Sequence, residues 1–303
     1  MQPTLRSDSL QLPPARDAGL LLVALAGVSA SGPLMAATAA PALAIAFWRT
    51  GLGAGFTAIL TVLRQPGRVR AVTASGWRLS ALAGVLLALH FGTWVPSVKY
   101  TSVASATGLV ATQAIFTALM AAVAGHRLPS RAWFGIALAF LGTLLVAGAD
   151  LDVSTRALFG DGLAVLGGLF AAAYVTVGGQ ARRQLSTAVY TSICYAVCSA
   201  GLLVACLLGH QAISGYPPRA WLYLIAVTGA AQLLGHSLIN VVLRSASPTF
   251  VSLAILLEVP GAGLIAFFWL HQHPSRWAYA GLVLLFAGLL LVVRTGSRPP
   301  DID

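Results

Sequence analysis

The sequence predicts an all-α integral membrane protein, with about ten transmembrane helices in two inverted five-helix repeats around a central cavity. Hydrophobic residues make up 58% of the 303 residues and charged residues only 9%, with a mean hydropathy of +0.85. A soluble domain carries about 25% charged residues. The apolar residues also fall in regularly spaced runs, and the second half of the chain repeats the pattern of the first. These three observations predict the fold class.

Ten apolar runs are long enough to cross the ~30 Å hydrocarbon core, which takes about 20 helical residues. The first run is span-length and the repeat requires it as a helix, so it is not interpreted as a cleaved signal peptide. Spans are predicted at 18–39, 42–63, 78–98, 102–124, 131–148, 161–180, 187–208, 219–241, 247–269 and 276–294. The corresponding domains are a cytoplasmic tail (1–17), a first repeat (18–148), an external connecting loop (149–160), a second repeat (161–294) and a second cytoplasmic tail (295–303).

The basic residues support this arrangement of spans. The formal net charge is +10, but no basic run is interleaved with aromatic residues, so no nucleic-acid partner is expected. With the N-terminus inside, thirteen Lys and Arg residues fall on one side of the membrane and four on the other, while Arg49 lies within the second span. Cytoplasmic loops carry such an excess. Both termini are therefore predicted to be cytoplasmic, in a multi-pass protein of the plasma (bacterial inner) membrane.

The chain repeats itself at an offset of 146 residues. Gly135 and Gly142, which open a Gly-x6-Gly helix, correspond to Gly281 and Gly288. The same offset places about five spans in each half, and an odd number of spans per half means that the halves insert in opposite orientations. Many secondary transporters have this plan, with the substrate site at mid-membrane between the halves. The offset also carries His90 onto His236, Thr112 onto Glu258 and Trp94 onto Asn240.

Glu258 lies near the middle of the predicted ninth span, whereas the other acidic residues fall in tails or loops. An ionisable side chain at this depth costs at least ~2.5–3.5 kcal/mol on insertion scales, which makes it a functional candidate. Pro260 should break the helix beside it, and Pro33 is a second predicted break, in the first span. Transporters often place binding sites at such broken helices. The alternative is that Glu258 is protonated, bonded to a neighbouring helix and important only for packing.

Several segments point together to one family. They are Ala46–Arg49 in the second span, Gly235–Asn240 in the eighth, Leu257–Pro260 in the ninth and the paired Gly-x6-Gly helices that end each half. With the ten-span layout, they resemble the EamA type of the drug/metabolite transporter superfamily. The resemblance implies a central cavity lined mainly by spans 3, 4, 8 and 9, and the movement of a small metabolite, often outward. His126 and Gln272 stand where the family often has Glu, and Gln113 where it often has Pro, so roles tied to those family residues are not carried over.

Polar residues recur at helical spacing on the predicted cavity spans. Together with Glu258 they predict a wet pocket between the two halves. The alternative for each is an interhelical hydrogen bond, worth roughly 0.6 kcal/mol on average, and for the tryptophan simple packing. The candidates are His90 and Trp94 in span 3, Thr112 and Gln113 in span 4, and Gln232, His236 and Asn240 in span 8.

Arg49 is a further candidate, in the outer part of the second span. It either binds a substrate carboxylate or phosphate, or it pairs structurally or extends towards the outer headgroups.

The leading functional hypothesis is a secondary transporter that exports small organic metabolites by alternating access. Amino acids or related compounds are the substrate class, by family analogy, and Glu258 is the proton-sensitive element. The alternatives are an uncoupled facilitator or exchanger, a sensor or scaffold, and a membrane-embedded enzyme that uses His236 and Glu258. No P-loop or dinucleotide fingerprint is present, and no catalytic site, metal or cofactor is expected. The expected partners are the substrate and the lipid bilayer, and the oligomeric state is left open.

Overall fold

The structure, a computed structural model, describes residues 11–64, 67, 72–101, 103–125, 128–147, 154–271 and 276–296. Within these ranges the chain folds into helices without strands, which confirms the all-α prediction. His126 and Gln272 lie outside the described residues, as does most of both predicted tails.

Eight helical stretches of the described chain are long and apolar enough to span a membrane, and two shorter apolar helices, Ser130–Leu145 and Ala280–Val292, complete the predicted set of about ten. Six spans are single helices and four are interrupted. The helices are α1 (Ala15–Ser29), α2 (Ser31–Ala37), α3 (Ala42–Arg64), α4 (Ala74–Tyr100), α5 (Val103–Val110), α6 (Gln113–Val123), α7 (Ser130–Ala147), α8 (Thr155–Gln184), α9 (Thr187–Leu208), α10 (Pro218–Val227), α11 (Ser237–Val242), α12 (Pro248–Ile255), α13 (Glu258–Leu270) and α14 (Arg276–Gly296), with a π-helical segment, Thr228–His236, between α10 and α11.

The interrupted spans are the first, fourth, eighth and ninth. The first breaks at Ala30 between α1 and α2, and Pro33 lies in the first turn of α2. The ninth breaks at Leu256 and Leu257 between α12 and α13, so that Pro260 lies in the first turn of α13. Proline is tolerated there because the first-turn N–H groups have no partner within the helix.

The sixth span begins earlier than predicted. Its helix starts at Thr155 instead of residue 161, so residues 155–160, which were predicted to belong to the connecting loop, are helical. The hydroxyl of Ser154 accepts a hydrogen bond of 3.1 Å from the backbone N–H of Ala157. This N-terminal cap allows the helix to begin in a polar stretch that a hydropathy pattern leaves out.

The last helices of the two repeats, α7 and α14, pack against each other in opposite directions. A Cβ atom on Gly142 would lie 2.5 Å from the carbonyl oxygen of Gly281, and one on Gly288 would lie 2.5 Å from that of Gly135. As residue numbers increase along α7, the numbers of the residues that they contact on α14 decrease, so the two helices are antiparallel. This antiparallel crossing is the relationship expected of inverted repeats, and it brings the two backbones into direct contact.

Pairs of long helices surround the remaining core. α4 packs along α8, and α3 packs along α9. The three cysteines, Cys194, Cys198 and Cys206, all lie on α9 and are free and buried among these helices.

Candidate substrate site

A central cavity lies between the two repeats at the level of the helix breaks. Its volume is about 40 Å³, which is room for about three water molecules. Ligand pockets commonly measure about 300–1,000 Å³, so the cavity is contracted in this conformation. Its walls come from spans 1, 3, 4, 6, 8 and 9, and include Ser31, His90, Trp94, Thr107, Gln113, Tyr174, His236 and Glu258.

Glu258 is the first residue of α13, directly after the break in the ninth span. Its side chain is 8% exposed, and the exposed part faces the cavity. No residue in the described part of the chain forms a hydrogen bond or an ion pair with its carboxyl group; Arg49 interacts with it electrostatically at longer range. A buried carboxyl group without a bonded partner is costly. The carboxyl group of Glu258 can therefore bind a proton, a water molecule or a cationic ligand.

Two histidines related by the repeat face each other across the cavity. The rings of His90 and His236 have their centroids 6.5 Å apart. Nδ1 of His90 donates to the carbonyl oxygen of Gly167 at 2.9 Å, which fixes the orientation of that ring. Nδ1 of His236 is buried, and no described residue forms a hydrogen bond with it. His236 therefore retains unused hydrogen-bonding capacity, whereas His90 is held in place by the backbone of α8.

Further unpaired polar atoms line the same space. The Trp94 ring stacks on His90 with an interplanar angle of 11° and a centroid distance of 5.6 Å. Within the described part of the chain, neither the Nε1 donor of Trp94 nor the buried Oγ1 of Thr107 has a hydrogen-bond partner. Buried polar groups in proteins are almost always hydrogen-bonded. Several unpaired atoms around one cavity indicate a place for water molecules or for the polar groups of a substrate.

Arg49 lies beside this cavity and is completely buried, which excludes the interpretation that it extends towards lipid headgroups. Its NH1 donates to the hydroxyl of Ser31 at 3.0 Å, and its guanidinium carbon lies 4.2 Å from the centre of the Phe91 ring. Its NH2 group has no hydrogen-bond partner in the part of the chain that the structure describes. Because Ser31 also lines the cavity, one hydroxyl group connects the buried cation to the cavity wall.

Gln232 and Asn240 lie behind the wall and do not line the cavity. Gln232 accepts a hydrogen bond from Nε of Arg49. Nδ2 of Asn240 donates to the Tyr174 hydroxyl and to the carbonyl oxygen of His236, each at 2.8 Å. In this conformation both residues position cavity groups instead of presenting their own polar atoms to the cavity.

The two candidates of the fourth span differ in position. Gln113 lines the cavity and donates from Nε2 to the hydroxyl of Ser252 at 3.1 Å. Thr112 lies at the break between α5 and α6, and its hydroxyl donates to the carbonyl oxygen of Leu109 at 2.7 Å. Thr112 packs against Gly168 and is not part of the cavity wall.

Comparison with known proteins identifies the family. The sequence matches the EamA-like transporter family over residues 17–148 and again over residues 158–294, so each match covers one set of five spans. The chain belongs to the EamA-like transporter family. It is accordingly a multi-pass membrane transporter of the drug/metabolite transporter superfamily, embedded in the lipid bilayer, as the sequence predicted.

Solved structures share the fold of this EamA-like transporter. In total, 29 chains of known structure match it. One, described only as the crystal structure of a protein, is similar with a TM-score of 0.74 at 14% sequence identity; the match covers 93% of this chain and 98% of that one. At this identity the likeness shows the fold alone. No curated protein matches the sequence.

The site of this EamA-like transporter also includes residues that the sequence analysis did not select. Ser31 and Tyr174 come from spans 1 and 6, and Thr107 comes from α5, the first half of span 4. Spans 1 and 6 are equivalent under the repeat. Ser31 belongs to the Ser-Ala-Ser-Gly-Pro segment at which the first span breaks, and a second broken helix was the signal that could have placed it at the cavity.

Proposed function

We propose that this EamA-like transporter is a secondary carrier of the plasma membrane that exports small organic metabolites, amino acids or related compounds, by alternating access. Glu258 exchanges a proton or pairs with a substrate ammonium group during the cycle. The observation that carries the proposal is the Glu258 carboxyl group, which lies on the wall of a cavity between two antiparallel repeats and has no bonded partner among the described residues. The cavity is contracted, so movement of substrate requires the broken helices to part.

Other charges and polar groups of the site support this substrate class. A cationic group beside Glu258 would be stabilised by an opposite charge in a medium of low dielectric constant. Nε1 of Trp94 and NH2 of Arg49 are hydrogen-bond donors without a partner among the described residues, and they suit the oxygen atoms of a carboxyl group. A small molecule with both an amine and a carboxyl group would use both kinds of partner.

The first experiment identifies the substrate. Metabolites released from cells that overproduce the protein are compared with those from control cells, and enriched compounds are then tested for counterflow in proteoliposomes. A carrier exchanges labelled for unlabelled substrate, whereas an enzyme or a sensor does not. Absence of counterflow with every enriched compound would refute the assignment as a carrier of those compounds.

The second experiment tests the role of Glu258. Glu258→Gln keeps the shape of the side chain and removes its ability to ionise, so counterflow should fall and lose its dependence on pH. Asp161→Asn is the matched control, because Asp161 is not part of the cavity wall. Equal flux with equal pH dependence in Glu258→Gln and in the wild-type protein would support an uncoupled facilitator or exchanger.

A further inference from the structure

A second cavity, which we call the vestibule, lies at the end of the bundle where α1 begins. It measures about 200 Å³ and is lined by the ends of α6 and α8, by Gln11 and by the turn 243–249 that leads into α12. Arg183 and Arg244 are exposed at its edge. The vestibule and the central cavity are separate in this structure, and the helices that run through the layer between them are α6, α8, α11 and α12.

Residue positions along α6 and α12 show what fills that layer. On α6, Gln113 lines the central cavity and Thr117, one turn later, lines the vestibule. On α12, Thr249 lines the vestibule, whereas Ile255 lines the central cavity. Ser252 lies halfway between them and is 1% exposed. The side chains of Gln113, Thr117 and Ser252 therefore lie between the two spaces.

These three residues form a closed ring of hydrogen bonds, the Gln113–Thr117–Ser252 cluster. Nε2 of Gln113 donates to the Ser252 hydroxyl at 3.1 Å, and the Thr117 hydroxyl donates to the backbone carbonyl oxygen of Gln113 at 2.7 Å, which closes the ring through the main chain. Because the Thr117 hydrogen is used in this way, the Ser252 hydroxyl is the donor in its 3.0 Å contact with Thr117. Such chains strengthen each other cooperatively. The ring joins the first repeat to the second.

The repeat relates this layer to an equivalent layer at the other end of the bundle. At the offset of 146, Gln113 and Thr117 correspond to Val259 and Gly263 on α13, and Ser252 corresponds to Ala106 on α5. None of these three counterparts has a polar side chain. The breaks in the fourth and ninth spans are equivalent too, but among the described residues the counterpart positions form no such hydrogen-bonded ring.

We propose that the Gln113–Thr117–Ser252 cluster is the gate between the vestibule and the central cavity. Because the equivalent layer lacks such a cluster, the resting protein favours the conformation that is closed at the vestibule end. The proposal rests on the proposed transport function, because a gate has a use only where a substrate passes. When the gate opens, the half-helices α6 and α12 rotate away from each other. The pivots are the helix breaks before α6 and after α12. Each interhelical bond of this kind changes the ratio of closed to open protein about threefold.

Thiol labelling tests the gate without a known substrate. Ala111 lines the central cavity and is 5% exposed, so Ala111→Cys reports access to that cavity. The native cysteines are fully buried, and the chain without Ala111→Cys gives the background. A membrane-impermeant cationic methanethiosulfonate is applied from the membrane side that carries the N-terminus. The rate of labelling then measures how often the vestibule end opens.

Three variants in the Ala111→Cys protein give a graded expectation. Ser252→Ala removes both interhelical bonds and should speed labelling roughly eightfold, Thr117→Val removes one and should speed it about threefold, and Thr117→Ser should leave it unchanged. Ser192→Ala is the matched control, since it removes a 2.9 Å hydroxyl pair with Thr61 between α3 and α9, which pack along their length. Its rate should stay at the starting value.

Equal labelling rates in the Ser252→Ala, Thr117→Val and starting proteins would overturn the gate. The gate would also be overturned if Ser192→Ala accelerated labelling as much as Ser252→Ala does. Loss of any hydroxyl bond between the two repeats would then loosen the protein in general. Thr117→Val provides a second reading should Ser252→Ala reduce the amount of folded protein. Labelling does not require transport, so a failure of counterflow with a normal gating response would refute the transport proposal and leave the gate intact.

Discussion

Nε of Arg49 donates a hydrogen bond of 3.2 Å to the side-chain oxygen of Gln232, and both side chains are completely buried. The bond joins the second span, in the first repeat, to the π-helical segment of the eighth span, in the second repeat. Segments of π-helix occur frequently at functional sites. Here the segment carries both Gln232, which holds the arginine, and His236, which faces the cavity.

Gln232→Leu should destabilise the protein because it deprives a buried cation of an acceptor. A hydrogen bond to a charged group contributes about 1.5–3 kcal/mol, and the free energy of unfolding should fall by about that amount. Thermal or chemical unfolding of the purified protein in detergent measures the change. The exposed Gln184→Leu, at the end of α8, is the control and should change stability by less than about 0.5 kcal/mol. Equal effects of the two variants would contradict the role assigned to Gln232.

Tyr174→Phe should weaken the site more than the fold. The ring stays in the cavity wall, but the hydroxyl that accepts the Asn240 amide at 2.8 Å is lost. Stability should decrease by about 1 kcal/mol, and counterflow should slow severalfold because Asn240 no longer positions that wall. Tyr223→Phe removes an exposed contact with Arg219 and should change neither quantity. Normal counterflow in Tyr174→Phe would show that the hydroxyl is dispensable.

Gly142→Ala should force α7 and α14 apart. The added Cβ would overlap the backbone nitrogen of Leu285, which cannot move away as a flexible side chain would. Overpacking of this kind costs about 1–3 kcal/mol. Gly263→Ala on α13 meets nothing within 4 Å and serves as the matched glycine control. Unfolding of both variants in the same detergent compares them, and a stable Gly142→Ala protein would disprove the close crossing.

The orientation of the chain can be tested with reporters fused after Asp303. In the predicted topology, thirteen of the 18 Lys and Arg residues fall on the side of the N-terminus, so a reporter that is active only in the cytoplasm should be active there. A reporter that is active only outside the cytoplasm should be silent at the C-terminus and active when fused between spans 5 and 6. The opposite pattern would mean that the number or the orientation of the spans is wrong.

Helical periodicity and the internal repeat predicted much of what the structure brings together. His90, Trp94, Gln113, His236 and Glu258 all line the central cavity. They could be selected because a polar side chain within an apolar span is conspicuous and because residues four apart share a helix face. The burial of Arg49 could not be predicted in this way. Its partner Gln232 lies 183 residues away, and no local pattern reports such a contact.

Helix breaks were predictable only where proline marks them. Pro33 and Pro260 indicated interruptions, and the structure places each break shortly before the proline, because proline disturbs the preceding turn. The break at Ala111 and Thr112 has no proline, and the π-helical segment of the eighth span has none either. Only the correspondence of Thr112 with Glu258 hinted at the break in the fourth span. The polar cap of Ser154, which lengthens the sixth span, was hidden because hydropathy ignores capping.

The antiparallel crossing of α7 and α14 has a practical consequence for measuring motion. Backbones in direct contact at Gly142 and Gly281 leave little room for sliding, and neither helix contributes to the wall of the central cavity. Spin labels on these two helices should keep a constant separation throughout the cycle. The pair therefore supplies a fixed reference. A change in the distance from this reference to a half-helix of the fourth or ninth span would measure the displacement of that half-helix alone.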